Sequence, residues 1–214
     1  MGQLRITEIF YSLQGETRTV GKPTVFVRLT GCPLRCQYCD TAYAFSGGTM
    51  RSITDIVNEV AAYRPRYITL TGGEPLAQPD CLPLLSQLCD LDAEVSLETS
   101  GAMDVSAVDQ RVNIVLDIKT PGSGESDRNV FANLDCLKPS DQIKFVICSR
   151  KDYEWARFKI DELNLAKRFD EVLLSPSYSE VEARTLAEWM LKDHVPARLQ
   201  IQLHKLLWND AAGH

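Results

Sequence analysis

Seven short runs rich in β-branched and other apolar residues limit the possible fold more than any other feature of the chain. They span 24–30, 67–71, 94–98, 113–119, 142–148, 171–175 and 198–203. Most lack clean polar alternation, the pattern of strands buried on both faces. Helical patterns lie between several of them. The clearest begins at Ser52, a favourable N-cap, with Ile53, Ile56, Val57 and Val60 on one face. A second covers 152–163, with Trp155, Phe158 and Leu163 among its apolar positions. A third covers 179–191, with Val181, Leu186 and Trp189 as core contacts. Strand–helix alternation of this kind predicts an α/β fold with a mostly parallel sheet. A complete eight-fold barrel takes about 250 residues. At 214 residues, with no repeat and no Gly/Ser-rich linker, the chain predicts a shortened, open (β/α) barrel in one domain over 1–214.

Polar residues gather where these runs end. Thr71-Gly72-Gly73-Glu74-Pro75, Glu98-Thr99-Ser100-Gly101, Lys119-Thr120-Pro121 and Ser175-Pro176-Ser177 each close a run. Parallel α/β folds bind ligands at the C-terminal ends of their strands, so four such ends predict one rim. The segment Gly31-Cys32-Pro33-Leu34-Arg35-Cys36-Gln37-Tyr38-Cys39-Asp40-Thr41 follows the first run. Three thiolates at spacings of four and three residues suit three irons of a four-iron cluster. The next cysteine is Cys81, so the fourth iron lacks a nearby thiolate and stays open to bind and cleave a ligand. The competing readings are zinc or buried thiols. Structural zinc takes four protein ligands, yet no second CxxC or CxH pair is present and the histidines stand at 194, 204 and 214. Cys81, Cys89, Cys136 and Cys148 are scattered singly and read as core or incidental positions.

Composition sorts the function classes. With 23 Lys+Arg against 29 Asp+Glu, the net charge is -6, which argues against a broad nucleic-acid surface but not against a small anionic ligand. Hydrophobic residues at 44% and charged residues at 24% suit a globular chain. No stretch approaches the roughly 20 apolar residues of a membrane span. The start, MGQLRITEIF, has no apolar leader core, and Ile6 breaks the myristoylation pattern. Seven cysteines, three of them crowded into one loop, suggest metal rather than a disulfide framework, and a cytoplasmic location is expected.

The cysteine loop resembles the CxxxCxxC signature of the radical S-adenosylmethionine superfamily, and Thr71-Gly72-Gly73-Glu74-Pro75 resembles its glycine-rich motif. A narrower likeness covers nearly the whole chain. Ile6-Thr7-Glu8-Ile9-Phe10-Tyr11-Ser12-Leu13-Gln14-Gly15-Glu16, Phe26-Val27-Arg28-Leu29-Thr30-Gly31-Cys32 and the closing Gln200-Ile201-Gln202-Leu203-His204-Lys205 are similar to the 7-carboxy-7-deazaguanine synthase family. That resemblance implies a lyase that contracts 6-carboxy-5,6,7,8-tetrahydropterin to a deazapurine with loss of ammonia, on the route to queuosine. It implies a 4Fe-4S cluster, S-adenosylmethionine used catalytically and Mg2+. It also implies a homodimer; an electron donor such as flavodoxin is expected to reduce the cluster, and the acidic balance without an RNA-binding appendage argues against direct nucleic-acid contact.

Cys32, Cys36 and Cys39 would then hold the cluster. Gly73, lacking a side chain, would let backbone carbonyls approach the methionine amino group; a plain turn at Gly72-Gly73 is the alternative. Lys119, Thr120, Pro121, Ser175 and Pro176 are candidates for the ribose and adenine end, against ordinary strand-end polarity. Thr41 is the candidate magnesium ligand through its hydroxyl, against an Asx-type turn at Asp40-Thr41. Leu13, Gln14, Gly15, Glu16, Arg28, Thr71 and His204 are the expected substrate contacts. Gln14 and Glu16 offer an amide and a carboxylate to the guanidine-like pterin edge. Arg28, a charge in an apolar strand, either pairs a substrate carboxylate or forms a salt bridge with a glutamate. His204 is expected at the end of the last strand.

Two other functions compete. An activase that takes hydrogen from a partner protein's glycine shares the cysteine loop but needs neither Leu13-Gln14-Gly15-Glu16 nor His204. A non-enzymatic metal-binding or scaffold protein would come out colourless or carry zinc.

Overall fold

The computed structural model describes residues 2–209, so His214 lies outside the described residues. Its strands are β1 (Gln3–Leu13), β2 (Pro23–Leu29), β3 (Thr49–Ser52), β4 (Tyr67–Gly72), β5 (Glu94–Thr99), β6 (Asn113–Asp117), β7 (Gln142–Ile147), β8 (Glu171–Pro176) and β9 (Arg198–Leu199). They form one nine-stranded sheet in the order β3-β1-β2-β4-β5-β6-β7-β8-β9. From β2 to β9 every pairing is parallel, while β1 runs antiparallel to both β2 and β3. The order ends on β3 and β9 without closing, as expected of an open barrel.

Six of the seven apolar runs are strands within a residue or two of their expected limits. The seventh is cut short. Only Arg198–Leu199 pairs with β8, and the chain then turns into a helix, α6 (Leu203–Trp208). The strand β1 was not among the runs, because its mixed exposure spreads polar and apolar residues over both faces.

The helices are α1 (Ile53–Ala62), α2 (Cys81–Cys89), α3 (Arg150–Glu162), α4 (Leu165–Arg168) and α5 (Ala183–Asp193), besides α6. Ser52 caps α1 as expected, its Oγ accepting from the Asp55 N–H at 3.1 Å. Ser149 caps α3 in the same way through the Asp152 N–H. In α3 the face toward the sheet is Tyr153, Ala156 and Ile160, a one-sided helical spacing. Phe158, another apolar position of this helix, falls on the opposite side and is 59% exposed. The core positions of α5 are Leu186 and Met190, with Val181 buried before it and Trp189 packed at the margin.

Each parallel strand divides its side chains between two buried faces, because successive residues point to opposite sides. Ile68 and Leu70, Val95 and Leu97, Ile114 and Leu116, and Ile143, Phe145 and Ile147 join the helices in one apolar core. The other face carries Thr69, Thr71, Ser96, Glu98, Asp117, Lys144 and Ser175. The strands are buried on both sides, but one side is polar. That side is where a ligand meets the sheet.

Candidate functional site

A cavity of about 650 Å3 opens over the polar face and the C-terminal strand ends. Thr71, Gly73, Glu98, Asp117, Lys119, Ser175 and Pro176 line it, so the polar strand ends do form one rim. Lys119 Nζ lies 2.8 Å from Asp117 Oδ2, and the buried ammonium is held well charged: burial opposes the charge, but Asp117 beside it prevails. Thr120 and Pro121 do not reach the cavity. Thr120 is fully buried and spends its hydroxyl on the Val146 carbonyl at 2.8 Å, whereas Pro121 faces outward at the start of a short 3-10 turn. The chain turns immediately after Lys119, so of these three residues Lys119 is the one that lines the cavity.

Cys32, Cys36 and Cys39 all open on the cavity. Among the described residues, no three His, Cys, Asp or Glu side chains close on a single ion. Burial pushes the Cys32 thiol up and the Cys36 thiol to about 11, so both favour the neutral thiol until a metal draws off the proton. The glycine-rich loop is stitched to this segment: Gly73 N–H donates to the Leu29 carbonyl at 3.2 Å and Glu74 N–H to the Gly31 carbonyl at 2.8 Å. A Cβ on Gly73 would strike the Gly31 carbonyl and lie 2.8 Å from Cys32 Cβ. Glycine is therefore required where the two loops meet, in addition to any role toward a cofactor. Glu74 is fully buried and accepts from Leu76 N, Thr99 Oγ1 and Ser100 N, which fixes the ends of β4 and β5 together.

The wall between Cys36 and Lys119 passes a direct test of fit for a polar cofactor. Tyr38 Oη and Asp117 Oδ1 are buried without a hydrogen-bond partner, and both residues line the cavity. Buried polar atoms are nearly always satisfied, so a hydroxyl and a carboxylate oxygen here leave capacity for a ligand. Three thiols, that unspent capacity and the Lys119 ammonium fit a cluster with a nucleoside-bearing, carboxylate-bearing cofactor.

Also on the cavity, Glu16 forms an ion pair with Lys144 and accepts from Gln202 Nε2 at 2.8 Å. Burial alone would raise the Glu16 carboxyl, but the Lys144 ammonium holds it below the usual carboxylate range. Glu98 differs: burial, then the nearby Glu16 charge, push its carboxyl up. It accepts from Thr71 Oγ1 at 2.9 Å and from Gln14 Nε2 at 3.4 Å. The Gln14 amide also donates to Thr69 Oγ1 and receives the Glu16 N–H, so this side chain aims Glu16 more than it meets a ligand. Arg28 lines the cavity with Leu13, and its Nε pairs with Glu8 at 2.7 Å. The glutamate salt bridge is thus formed, and the guanidinium still borders the cavity between the Phe10 and Tyr43 rings.

His204 also lines the cavity, but from α6 and not from a strand end; β9 stops too early to carry it. Its ring packs on Gly15, where a Cβ would collide with the imidazole. Thr41 opens on the cavity with its hydroxyl donating to Asp40 Oδ1 at 2.9 Å, and Asp40 Oδ2 pairs with Lys205 Nζ at 2.9 Å. Burial would raise Asp40, but Lys205 dominates and holds it well below the ordinary range. The residues that sequence reasoning missed are Tyr38, Asp117, Lys144, Gln202 and Lys205. A charge within an apolar run marks Lys144 and Asp117, much as it marks Arg28, whereas the others carry no such local signal.

Comparison with known proteins agrees with this geometry. Residues 26–170, more than half of the chain, match the Radical SAM superfamily model. The chain is 44% identical to 7-carboxy-7-deazaguanine synthase of Chlorobaculum tepidum, over 98% of this chain and 97% of the relative. It is 40% identical to the enzyme of that name from Koribacter versatilis, over 96% of this chain and 97% of the relative. The crystal structure of QueE from Escherichia coli superposes with a TM-score of 0.73 at 25% identity, covering 94% of this chain and 95% of that one.

Proposed function

The chain belongs to the 7-carboxy-7-deazaguanine synthase family of the radical S-adenosylmethionine superfamily, and from that membership we propose how its cavity divides the work. It is a lyase that contracts 6-carboxy-5,6,7,8-tetrahydropterin to 7-carboxy-7-deazaguanine with loss of ammonia, in 7-deazapurine (queuosine) biosynthesis. The observation that carries the division is that one cavity is lined both by the three cysteines and by the Lys144–Glu16 pair.

Cys32, Cys36 and Cys39 hold the cluster, and Gly73, Lys119, Ser175 and Pro176 border S-adenosylmethionine, with Tyr38 and Asp117 supplying unspent polar atoms. Once bound, these two groups supply a hydrogen-abstracting radical, and S-adenosylmethionine is regenerated. Glu16, kept ionised by Lys144, accepts the paired N–H groups of the pterin's guanidine-like edge, a charge-assisted contact. Arg28, with His204 beside Gly15, receives the substrate carboxylate. Thr71 holds Glu98 against the same cavity. Thr41 offers its hydroxyl to Mg2+, a hard ion that completes its shell with water and substrate oxygen.

The single domain of 1–214, an electron donor such as flavodoxin and a homodimer complete the proposal. Leu206 and Leu207, 65% and 50% exposed on α6, support a second copy. Among the described residues no helix is long and apolar enough to cross a membrane.

The test is anaerobic turnover of reconstituted protein with reductant, Mg2+, S-adenosylmethionine and the carboxytetrahydropterin, followed by mass spectrometry. The expected result is carboxydeazaguanine without stoichiometric loss of S-adenosylmethionine. Release of 5′-deoxyadenosine without the deazapurine would overturn the substrate.

A further inference from the structure

We propose that Gln202 is a positioning residue that ties the carboxylate receiving the pterin to the loop carrying the cluster cysteines. Its Nε2 lies 2.8 Å from Glu16 Oε1 and 3.2 Å from Asp40 Oδ2. Asp40 directly follows Cys39, and Asp40 and Glu16 both line the cavity. One primary amide has two N–H donors, so it meets both carboxylates without adding a charge. Each contact is charge-assisted and correspondingly strong.

The neighbours of Gln202 are fixed to the same two places. Leu203 N–H donates to the Gly15 carbonyl at 2.9 Å, and the His204 ring fills the space where Gly15 lacks a side chain. Lys205 Nζ pairs with Asp40 Oδ2 at 2.9 Å, with its side chain only 4% exposed. Lys144 neutralises Glu16 from the opposite direction. The result is an alternating row of Lys144, Glu16, Gln202, Asp40 and Lys205, drawn from four separate parts of the sequence. Gln202 is its neutral centre. Because Glu16 grips one end of the substrate and the cysteine loop serves the reacting end, this amide sets the separation between grip and chemistry. A misplacement of about 1 Å can cost on the order of 100-fold in rate.

The inference rests on Glu16 receiving the pterin, and the experiment keeps the two apart. Gln202→Ala and Gln202→Glu would be made in the full chain and reconstituted with the cluster. Carboxytetrahydropterin binding would be measured by equilibrium dialysis, and 5′-deoxyadenosine released per deazapurine formed by mass spectrometry. For Gln202→Ala the expected result is roughly 10-fold weaker binding, the worth of one hydrogen bond to a charged group. The ratio of 5′-deoxyadenosine to deazapurine should rise several-fold, with iron content unchanged. Gln202→Glu should be worse on both readouts, since it sets a third carboxylate against Glu16 and Asp40. If that variant fails to hold its cluster, Gln202→Ala alone decides. Wild-type affinity and ratio in Gln202→Ala overturn the inference. So does a fall in turnover that follows lost iron while the ratio stays constant, because that is a structural role only. A wild-type chain that makes no deazapurine overturns the functional reading instead.

Discussion

Lys144 and Phe145 are neighbours in β7 and do opposite work. Phe145 is fully buried against the helices, its ring 6.3 Å from that of Trp155 in an edge-on contact. Lys144 points to the cavity and holds Glu16 ionised. The same division runs along β4, β5 and β6, where Leu70, Leu97 and Leu116 face the core while Thr71, Glu98 and Asp117 face the cavity. The lesson is that one set of strands stores stability on one face and presents polar groups to the cavity on the other. Side chains of alternate parity can therefore be changed with separable consequences.

The strongest challenge to that division is Phe145→Ala. Emptying a core aromatic site costs about 3–5 kcal/mol, which in a chain of this size lowers Tm by about 10 °C. Turnover of the folded fraction at low temperature should stay near wild type. If turnover falls as far as it does on changing Lys144, the two faces are not separable.

Lys144→Met should invert the pattern. KM for the pterin is expected to rise about 10-fold or more, as befits a lost partner of a charged group, while kcat changes less. Lys144 depresses the Glu16 carboxyl, so its removal raises that group, and the acid limb of kcat/KM should move to higher pH. An unmoved limb in the pH–rate profile would remove Lys144 from substrate binding.

The smallest effect sharpens the comparison by pH. Glu98 takes up its proton more readily in the folded chain than in the unfolded one. A raised carboxyl favours folding fully below its unfolded value, about 4.3, and that advantage is lost as pH rises through the folded value. Glu98→Gln has no such titration. Its Tm advantage over wild type should therefore grow from pH 4 toward neutrality, by a few degrees at about 2–4 °C per kcal/mol. A difference that stays flat with pH would show that Glu98 titrates in the folded chain as it does in water.

Much of the fold was legible because β-branched runs and a serine cap are local signals, and β2, β4 to β8 and α1 rest on those. The loss of β9 after Leu199 was not legible, since Arg198 to Leu203 alternates polar and apolar residues as a strand does, whereas the contacts to Gly15 and Glu16 beyond it are tertiary. The cysteine loop announced its chemistry through spacing. The substrate end did not: Lys144 meets Glu16 across 128 positions and Gln202 meets it across 186. Resemblance supplied Glu16, Arg28 and His204, but pairings of that range leave no mark on a single sequence. Thr120 and Pro121 lie outside the cavity lining for a local reason, the short turn that follows Lys119.

The contact of Gly15 and Glu16 with the last helix also has a consequence for the order of synthesis. Strands β2 to β8 and the cysteine loop leave the ribosome well before Gln202. At about 5–20 residues per second, Cys39 waits on the order of 10–30 s for the segment that covers it. A nascent chain therefore exposes an unfinished cluster pocket to solvent and oxygen for that interval.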